Sequence, residues 1–423
     1  MSNAKINIFG KTFGYISWNE EFSTSVFELD ENFDLNSSNP APFIIKPHIR
    51  KYLGTDFDEI CHGLFPSFID SLPDSFGNKV FTAWMNEKGL EKNDFNPVER
   101  LLYIGNRGMG AFEYEKGKEL GRSSDINLNE IATLANEIVK GKVSLSMSLS
   151  KEEIKNLEGI VNFGGASIGG AQAKILLGEQ DNRFVPGDIE YDKPTDYYVV
   201  KLTNNDGTDW STNKNKIEFV YNELARKAGI NVADSKLIEL DGLHHFASKR
   251  FDRIDGEKLH TQTFFALSGK FTRGQRFDYK HLFKLLDYFK SDAATKQSLY
   301  KQMVFNILSG NTDTHYKNFG FLMNKDGQWN LSPAYDLTFP LDPFQSTLSL
   351  HFAEVNGKRT EITKADFLAV AKDVGILKPL PLIEEVENSL STFWQEAKAV
   401  DIDASVKIKI NAIIKNNIKL SNN

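Results

Sequence analysis

The chain contains 423 residues, of which 40% are hydrophobic and 25% are charged, as in ordinary soluble globular proteins. This length allows two or three domains with sizeable hydrophobic cores. Lysine and arginine total 50 against 57 aspartate and glutamate residues, which gives a net charge of −7. Such a balance argues against broad, independent binding of nucleic acid, which depends on neutralising phosphates with basic side chains. A local basic patch, or contact with DNA through a basic partner, stays open.

The cysteine content and the hydropathy pattern bear on the cellular compartment. Cys61 is the single cysteine, so the sequence offers no internal disulfide and no cage of thiolate metal ligands. No apolar run reaches the ~18 residues of a membrane span, and the first residues lack the basic-then-apolar pattern of a secretory signal. We therefore expect a soluble cytoplasmic protein.

The first part of the chain combines short strand patterns with turn signals. A turn at Phe9-Gly10-Lys11 separates the first two strand patterns, and Pro97 suits the first turn of a helix. The run GNRGMGAFEY at 105–114 is interpreted as a structural turn, although its three glycines could also cradle a phosphate. The predicted elements are strands at 5–8, 13–18 and 26–29, loop at 32–47, broken helix at 59–90 and helix at 97–103.

The rest of the chain changes from strand-rich to helix-rich. A helix at 128–139 is predicted to serve packing only, and the polar residues 116–125 before it mark a boundary. This order predicts an α+β fold with two lobes, in which the chain divides at about residues 125 and 252. The predicted elements are strands at 197–202, 236–240 and 245–249, and helices at 217–228, 279–289, 295–308, 364–374, 382–399 and 404–418.

The segment FGGASIGGAQAKILL, residues 163–177, is a glycine-rich loop that leads into a predicted strand. Backbone amides in such a loop can approach phosphates closely because glycine carries no side chain. Gly164, Gly165, Gly169 and Gly170 provide this backbone, and Lys174 is nearby. The Walker pattern is missing, so a P-loop NTPase is disfavoured. A nucleotide-binding loop and an ordinary glycine-rich turn both stay open.

Lys201 comes late in the apolar run YYVVKL, where an unpaired buried charge would be costly. In kinases, a lysine on such a strand holds the phosphates of the nucleotide and is oriented by a glutamate on a helix. Glu218, within the first turn of the next predicted helix, is the natural partner, and Glu223 on the same helix is the alternative. A surface salt bridge at a strand end would account for the lysine equally well.

The charged run KRFDR at 249–253 joins the strand-rich and helix-rich blocks. A hinge between two lobes is where backbone groups would meet the edge of an adenine base. Composition alone favours an ordinary charged linker.

The polar run NTDTHYKNFGFL at 311–322, followed by LSPAYDL at 331–337, is the strongest signal for chemistry. Phosphoryl transfer needs one carboxylate near the attacking hydroxyl, plus an amide oxygen and a second carboxylate to hold Mg²⁺. Asp313, Asn318 and Asp336 supply these groups in that order. Lys317 could neutralise charge on the phosphoryl group during transfer. The run therefore predicts the catalytic and metal-binding core of a kinase.

Two alternatives to a kinase core stay open for this run. A metallohydrolase would use Asp313, His315 and Asp336 as metal ligands. Against it, His244 and His245 are adjacent and would face opposite sides of a strand, so they give no second ligand pair. The run could also be a loop held by side-chain hydrogen bonds. His315 itself is interpreted as a structural hydrogen-bonding residue.

In combination, these motifs resemble the HipA family of serine/threonine protein kinases, the toxin halves of bacterial toxin–antitoxin pairs. The resemblance rests on the order and separation of several motifs, and it extends to about Ala399. In the N-terminal part it includes the first strands, SLPDSFG and RLLYIGNRGMGAF. The later matching segments are SIGGAQAK (167–174), VVKL around Lys201, LARKAGINV, KRFDR, NTDTHYKNFGF and LSPAYDL.

The resemblance implies a two-lobed kinase fold, related to lipid-kinase-like enzymes, that transfers the γ-phosphate of ATP with Mg²⁺. By position, Asp313 matches the catalytic aspartate of the family, and Asn318 and Asp336 match its metal ligands. Ser167 falls where the family autophosphorylates its glycine-rich loop, and a phosphate there would repel bound ATP. The implied nucleotide site consists of Gly169, Gly170, Ala171, Gln172, Lys174, Lys201, Glu218, Arg250 and Phe251.

The resemblance also implies partners. Family members act on proteins of translation, in some cases an aminoacyl-tRNA synthetase, and bind a small helix-turn-helix antitoxin that carries the DNA contacts. That fits the acidic composition, and the sequence contains no clear helix-turn-helix of its own. The alternative is a catalytically weak, kinase-like scaffold that acts as a co-repressor with such an antitoxin. One departure from the family pattern is Ala173, which stands where an acidic residue commonly follows the GAQ triplet.

Overall fold

The computed structural model describes residues 2–57, 59–72, 96–115, 172–181, 183–187, 190–203, 207–240, 242–269, 275–340, 342 and 350–422. The helix predicted at 128–139 and most of the glycine-rich segment lie outside these residues. Within them, the strands form two five-stranded sheets, one three-stranded sheet and one hairpin. No helix in the described part of the chain is long and apolar enough to cross a membrane.

The N-terminal part of the chain is built around one antiparallel sheet. Its strands are β1 (Asn3–Ile8), β2 (Lys11–Asn19), β3 (Thr24–Leu29), β4 (Lys51–Leu53) and β5 (Phe112–Glu115). They lie in the order β4-β3-β2-β1-β5, and the turn predicted at Phe9-Gly10-Lys11 is confirmed. Helix α1 (Pro97–Ile104) begins at the predicted proline because the side chain of Asn96 accepts a hydrogen bond from the amide of Glu99.

Phenylalanine rings fill the core beside this sheet. Phe13, Phe27 and Phe68 are fully buried, and the ring centroid of Phe27 lies 5.1 Å from those of Phe13 and Phe68. Phe68 belongs to the short 3-10 helix Pro66–Ser71, and its ring also contacts that of Phe112 on β5 at 5.3 Å. Each such aromatic pair adds about 0.5–1.5 kcal/mol beyond its buried area. The cluster therefore holds the 3-10 helix firmly against the sheet.

The second sheet carries the lysine strand. Its strands are β6 (Lys174–Gln180), β7 (Arg183–Pro186), β8 (Asp196–Lys201), β9 (Ser235–Leu240) and β10 (Leu243–Lys249), in the order β7-β6-β8-β10-β9. Helix α2 (Asp209–Lys227) packs on it and begins eight residues before the predicted start. The early turns of α2 are polar, so they show no apolar stripe. They are stabilised instead by tertiary contacts, such as the hydrogen bond from Asn215 Nδ2 to the carbonyl oxygen of Lys201 (2.7 Å).

The last part of the chain is mainly helical, as the sequence predicted, but it also contains short strands that were not predicted. Strands β11 (Arg253–Ile254) and β12 (Glu257–Lys258) form a hairpin, and β13 (His260–Thr263), β14 (Gly320–Met323) and β15 (Trp329–Leu331) form the third sheet. These strands are too short to show a clear period. The helix predicted at 382–399 is two helices, which meet at Thr392. The helices are α3 (Phe264–Ser268), α4 (Lys280–Tyr288), α5 (Ala293–Ser309), α6 (Lys364–Val374), α7 (Pro379–Ser391), α8 (Phe393–Ala399) and α9 (Ala404–Ser421).

His260 lies where the first and third sheets meet. Its ring packs against Phe112 at 4.4 Å and Trp329 at 5.8 Å between centroids, and only 1% of the residue is exposed. Neither ring nitrogen has a hydrogen-bond partner among the described residues. Burial of this ring lowers its pKa to about 3, because the charged imidazolium would lose its hydration.

The histidine should make folding stability depend on pH. Between pH 6.5 and pH 3 the unfolded chain binds a proton that the folded chain does not, so stability falls as the pH falls. Acidification from pH 7 to pH 5 should therefore lower the free energy of unfolding by about 2 kcal/mol through this residue. Urea titrations of the wild type and His260→Phe at both pH values measure the difference. Equal pH dependence in the two proteins would contradict the assignment.

Candidate active site

A cavity in the described chain opens between the second sheet, helix α2 and the segment at 335–337. Its space, including the part open to solvent, is about 590 Å³. Three residues that are far apart in the sequence line this cavity together: the strand lysine Lys201, the helix glutamate Glu218 and Asp336, a predicted metal ligand. Its lining residues are Met109, Lys174, Val199, Lys201, Glu218, Asn222, Phe246, Ser248, Lys249, Arg250, Phe251, Tyr335, Asp336 and Leu337.

Lys201 forms the centre of an ion cluster in this cavity. Its Nζ donates to Glu218 Oε1 at 2.5 Å and to the carboxylate of Asp336. The side chains are 12%, 7% and 24% exposed, so the pairing is not a surface salt bridge. The prediction that Glu218 is the partner of Lys201 is confirmed. Glu223 instead lies 3.7 Å from Arg226 on the same helix.

The elements of the second sheet explain this placement. Tyr198 and Val200 on β8 are buried, and Lys201 follows them at the end of the strand. Glu218 lies on the buried stripe of α2, between Ile217 and Val220. The apolar stripe thus turns this glutamate toward the sheet, where the lysine strand ends.

The pKa values of the two carboxylates in the cluster are shifted in opposite directions. Burial by itself would raise the pKa of Asp336, but the charges of Lys201 and Lys174 outweigh it and hold that pKa below its usual value. For Glu218, burial is the largest effect, and its pKa is raised despite the contact with Lys201. The carboxylates outweigh the burial of Lys201, so its pKa is raised and it stays charged. Ionisation is therefore favoured more at Asp336 than at Glu218.

Asp336 also has an unusual backbone. Its φ of +53° lies in the left-handed region, which aspartate tolerates better than most residues. The following residue, Leu337, is buried and holds the segment in place. Such conformations cluster at functional sites.

The segment 311–318 follows helix α5, which is capped at its C-terminal end by Gly310 with φ +76°. Asp313 is 57% exposed, and Asn318 Nδ2 donates to its carbonyl oxygen at 2.6 Å. His315 Nδ1 accepts a hydrogen bond from the amide of Lys317 at 3.2 Å, which caps the 3-10 helix Tyr316–Asn318. This agrees with the interpretation of His315 as a structural residue. The exposed carboxylate of Asp313 is accessible to a large substrate.

A metal site with histidine ligands is not found in the described residues. In that part of the chain, no group of three or more His, Cys, Asp or Glu side chains is placed to hold a metal ion. The Nε2 atom of His315 lies 3.7 Å from Asp313 Oδ1. Asn318 and Asp336 offer the oxygen ligands that Mg²⁺ prefers, and the lowered pKa of Asp336 keeps its carboxylate ionised. Oxygen atoms of this kind suit a magnesium ion better than a zinc ion.

Lys317 is directed toward the N-terminal part of the chain. Its Nζ lies 5.1 Å from the ring centroid of Phe265. Burial raises the pKa of Asp70 and the charge of Lys317 partly offsets that rise, whereas burial lowers the pKa of His62 and the same charge adds to the decrease. Its carbonyl oxygen accepts a hydrogen bond from the hydroxyl of Tyr335 at 2.7 Å. This bond ties the segment 311–318 to the segment that carries Asp336.

The KRFDR segment is a buried network and not a charged linker. Asp252 is fully buried, and its carboxylate accepts two hydrogen bonds from Arg250 at 2.9 Å and one from Arg253 at 2.7 Å. The amide of Gly110 donates to the same carboxylate at 2.7 Å, and both arginines donate to the carbonyl oxygen of Gly108. The guanidinium of Arg250 is therefore engaged with protein groups, although the residue borders the cavity.

This network brings a residue of the N-terminal part into the site. Met109 lies between Gly108 and Gly110, whose backbone groups are hydrogen-bonded to this network. It is 5% exposed and lines the cavity. No sequence pattern indicates this role, because 142 positions separate Gly110 from Asp252. Tyr335 was also missed; its ring stacks on that of Phe251 at 5.9 Å. Only the surrounding motif LSPAYDL could have suggested it.

The glycine-rich segment is described only at its end. Ser167, Gly169, Gly170 and Ala171 lie outside the described residues. The side-chain amide of Gln172 donates to the carbonyl oxygen of Leu202 at 3.1 Å and to Asn215 Oδ1 at 2.8 Å. Lys174 is 4% exposed and lies opposite Lys201 on the neighbouring strand. The end of the segment is thus fixed beside the ion cluster.

The sheets, the helices and the cavity between them define an α+β, two-lobed, kinase-like fold, as the sequence predicted. The fold is similar to that of HipA in the complex of Shewanella oneidensis MR-1 HipA with HipB and its operator DNA. That comparison has a TM-score of 0.65 at 18% identity and covers 99% of this chain and 96% of the other.

Two protein-family models match this chain. Residues 166–399 match the model of the HipA-like C-terminal domain, and residues 4–115 match that of the HipA N-terminal domain. The chain belongs to the HipA family.

Individual relatives are distant and align in part. The serine/threonine-protein kinase toxin HipA of Shewanella oneidensis is 29% identical over 142 residues, 28% of this chain and 33% of the relative. The putative kinase Y4dM of Sinorhizobium fredii is 26% identical over 259 residues, 57% of this chain and 62% of the relative. The aligned region spans less than two thirds of either relative.

Proposed function

We propose that the protein is an ATP- and Mg²⁺-dependent serine/threonine protein kinase that acts as a growth-inhibiting toxin in the cytoplasm. The observation that carries the proposal is the ion cluster of Lys201, Glu218 and Asp336 in the cavity. Kinases use a strand lysine, oriented by a helix glutamate, to hold the phosphates of the nucleotide. The name of the Shewanella relative supports the same activity.

We assign the catalytic roles from the residue pattern of the segment 311–318 and from the exposure of Asp313. Asp313 accepts or orients the proton of the attacking hydroxyl, for which its exposed carboxylate is suited. Asn318 and Asp336 would hold Mg²⁺ through oxygen atoms, and the ion would supply charge neutralisation on the phosphates. Lys317 is assigned to stabilising the transferred phosphoryl group, which requires its Nζ to leave the ring of Phe265.

The nucleotide occupies the cavity described above. Lys201 and Lys174 face its phosphates, and Arg250 and Phe251 border the adenine end. Gly169, Gly170 and Ala171 are assigned to phosphate binding from the sequence resemblance, and Gln172 fixes the end of that segment. Autophosphorylation of Ser167 would place close to two negative charges beside bound ATP and so switch the kinase off.

The proposed partners are a protein substrate and a small antitoxin. The substrate is a protein of translation such as an aminoacyl-tRNA synthetase. The antitoxin is a helix-turn-helix protein that carries the DNA contacts, as the complex of HipA with HipB and operator DNA suggests. The net charge of −7 is consistent with DNA contact through such a partner.

Incubation of the purified protein with γ-labelled ATP tests the activity. We expect label on serine or threonine in the presence of Mg²⁺ and none after chelation with EDTA. Mass spectrometry should place phosphate on Ser167, and Ser167→Ala should abolish that peptide signal while leaving transfer to a substrate intact. Absence of both label and ATP binding would refute the kinase and favour a scaffold that represses transcription together with an antitoxin.

A further inference from the structure

Asp70 connects the N-terminal part of the chain to the segment beside the active site. It lies in the 3-10 helix Pro66–Ser71 and accepts two hydrogen bonds from Thr263, 193 residues later. The amide of Thr263 donates to Oδ2 at 2.6 Å, and its hydroxyl donates to Oδ1 at 3.0 Å. Both oxygens of the Asp70 carboxylate thus accept hydrogen bonds from one residue, Thr263. This geometry specifies the position of Thr263 more closely than apolar packing would.

Thr263 lies at the junction between strand β13 and helix α3. It ends strand β13 and is the N-cap of helix α3, where its hydroxyl accepts from the amide of Ala266 at 3.3 Å. Its neighbour Phe264 donates its amide to the carbonyl oxygen of Phe319 at 2.7 Å, and Thr263 pairs with Gly320 on β14. Phe319 directly follows Asn318. The threonine is therefore close, through the backbone, to the proposed metal-binding amide.

Helix α3 also contacts the catalytic segment through side chains. The ring of Phe265 stacks on that of Tyr316 at 5.4 Å, and Lys317 Nζ lies 5.1 Å from the ring centroid of Phe265. The charge of Lys317 also acts on the carboxylate of Asp70. The aspartate is thus linked to the segment 313–318 through Thr263 and helix α3.

We propose that Asp70 is a positioning residue, which fixes the segment 313–318 through Thr263 and so makes phosphate transfer depend on docking of the N-terminal part. The inference rests on the proposed kinase function. Asp70 does not line the described cavity, so it acts on the placement of Asp313 and Asn318 and not on nucleotide binding. Misplacement of reacting groups by about 1 Å can cost about 10²-fold in rate.

Asp70→Asn keeps the size of the side chain but replaces one acceptor oxygen with a donor. We expect the rate of label transfer at saturating ATP to fall about 10- to 100-fold, while the KM for ATP changes less than about twofold. Thr263→Val should give the same loss, and Thr263→Ser, which retains the hydroxyl, should restore most of the rate. The double variant Asp70→Asn/Thr263→Val should be no worse than either single variant.

The matched control is Glu113→Gln. Glu113 on β5 accepts a hydrogen bond from Lys258 Nζ at 2.7 Å and so also joins the N-terminal part to the later chain, away from the catalytic segment. Its transfer rate should remain that of the wild type. An equal loss of rate in this control would show that weakening any contact between the N-terminal part and the later chain has the same effect, which would overturn the specific role of Asp70. A wild-type rate in Asp70→Asn would overturn it as well.

Hydrogen exchange separates this inference from the kinase proposal. Amides at 313–320 should exchange faster in Asp70→Asn than in the wild type and in Glu113→Gln, whether or not ATP is present. If the wild type transfers no phosphate but exchange changes as expected, the kinase function fails and the positioning contact stands. If hydrogen exchange at 313–320 and the melting temperature are the same in Asp70→Asn as in the wild type, Asp70 does not position this segment.

Discussion

Replacing Asp313 with alanine is expected to lower phosphate transfer by about 10²–10⁴-fold, the usual contribution of a positioned general base. The carboxylate lies on the exposed side of the segment 311–318 and is 57% exposed, so its removal leaves no buried cavity or unpaired buried charge. The fold and the binding of ATP should therefore be preserved. Label from γ-labelled ATP and the affinity for a fluorescent ATP analogue measure the two properties separately.

Asp326→Asn is a suitable control for this experiment. Asp326 is exposed in the turn between β14 and β15, where its backbone amide donates to Asn324 Oδ1. The variant should keep the wild-type transfer rate. Induction of the two variants in cells extends the test to the toxin role, since Asp313→Ala should relieve growth inhibition and Asp326→Asn should not. Normal transfer by Asp313→Ala would rule out the assigned role.

Lys201→Met should affect both stability and nucleotide binding. The substitution leaves Glu218 and Asp336 facing each other without the charge between them, and breaking a buried ion pair in this way costs about 3–5 kcal/mol. The affinity for ATP should fall as well, because the phosphates lose their charged partner. Urea titration and equilibrium binding of an ATP analogue measure the two losses.

A double variant distinguishes the two effects. Lys201→Met/Glu218→Gln removes one negative charge together with the lysine, so it should recover much of the lost stability. It should recover none of the phosphate transfer, because the lysine is still missing. If the double variant is as unstable as Lys201→Met, the repulsion between the two carboxylates is not the cause of the loss.

Part of the proposed site can be read from the sequence because those groups lie close together along the chain. Asp313 and Asn318 lie within six residues of each other, and their spacing is readable without any structure. Glu218 was predicted as the partner of Lys201 from the kinase pattern, and the structure brings the two together. In contrast, the polar start of α2 was missed, since buried asparagines such as Asn215 are stabilised by tertiary hydrogen bonds that no periodicity reveals.

The sequence alone determined the α+β class, the family resemblance and the order of the candidate catalytic groups, because these depend on residue types and on spacing along the chain. Tertiary structure alone decided that Arg250 is bound to Asp252, that Met109 enters the cavity, and that Asp70 holds Thr263. The last two depend on how the N-terminal part docks on the later chain. The contacts made by Asp252 and Asp70 are buried or charge-assisted hydrogen bonds, whose geometry is specific but leaves no pattern in the sequence.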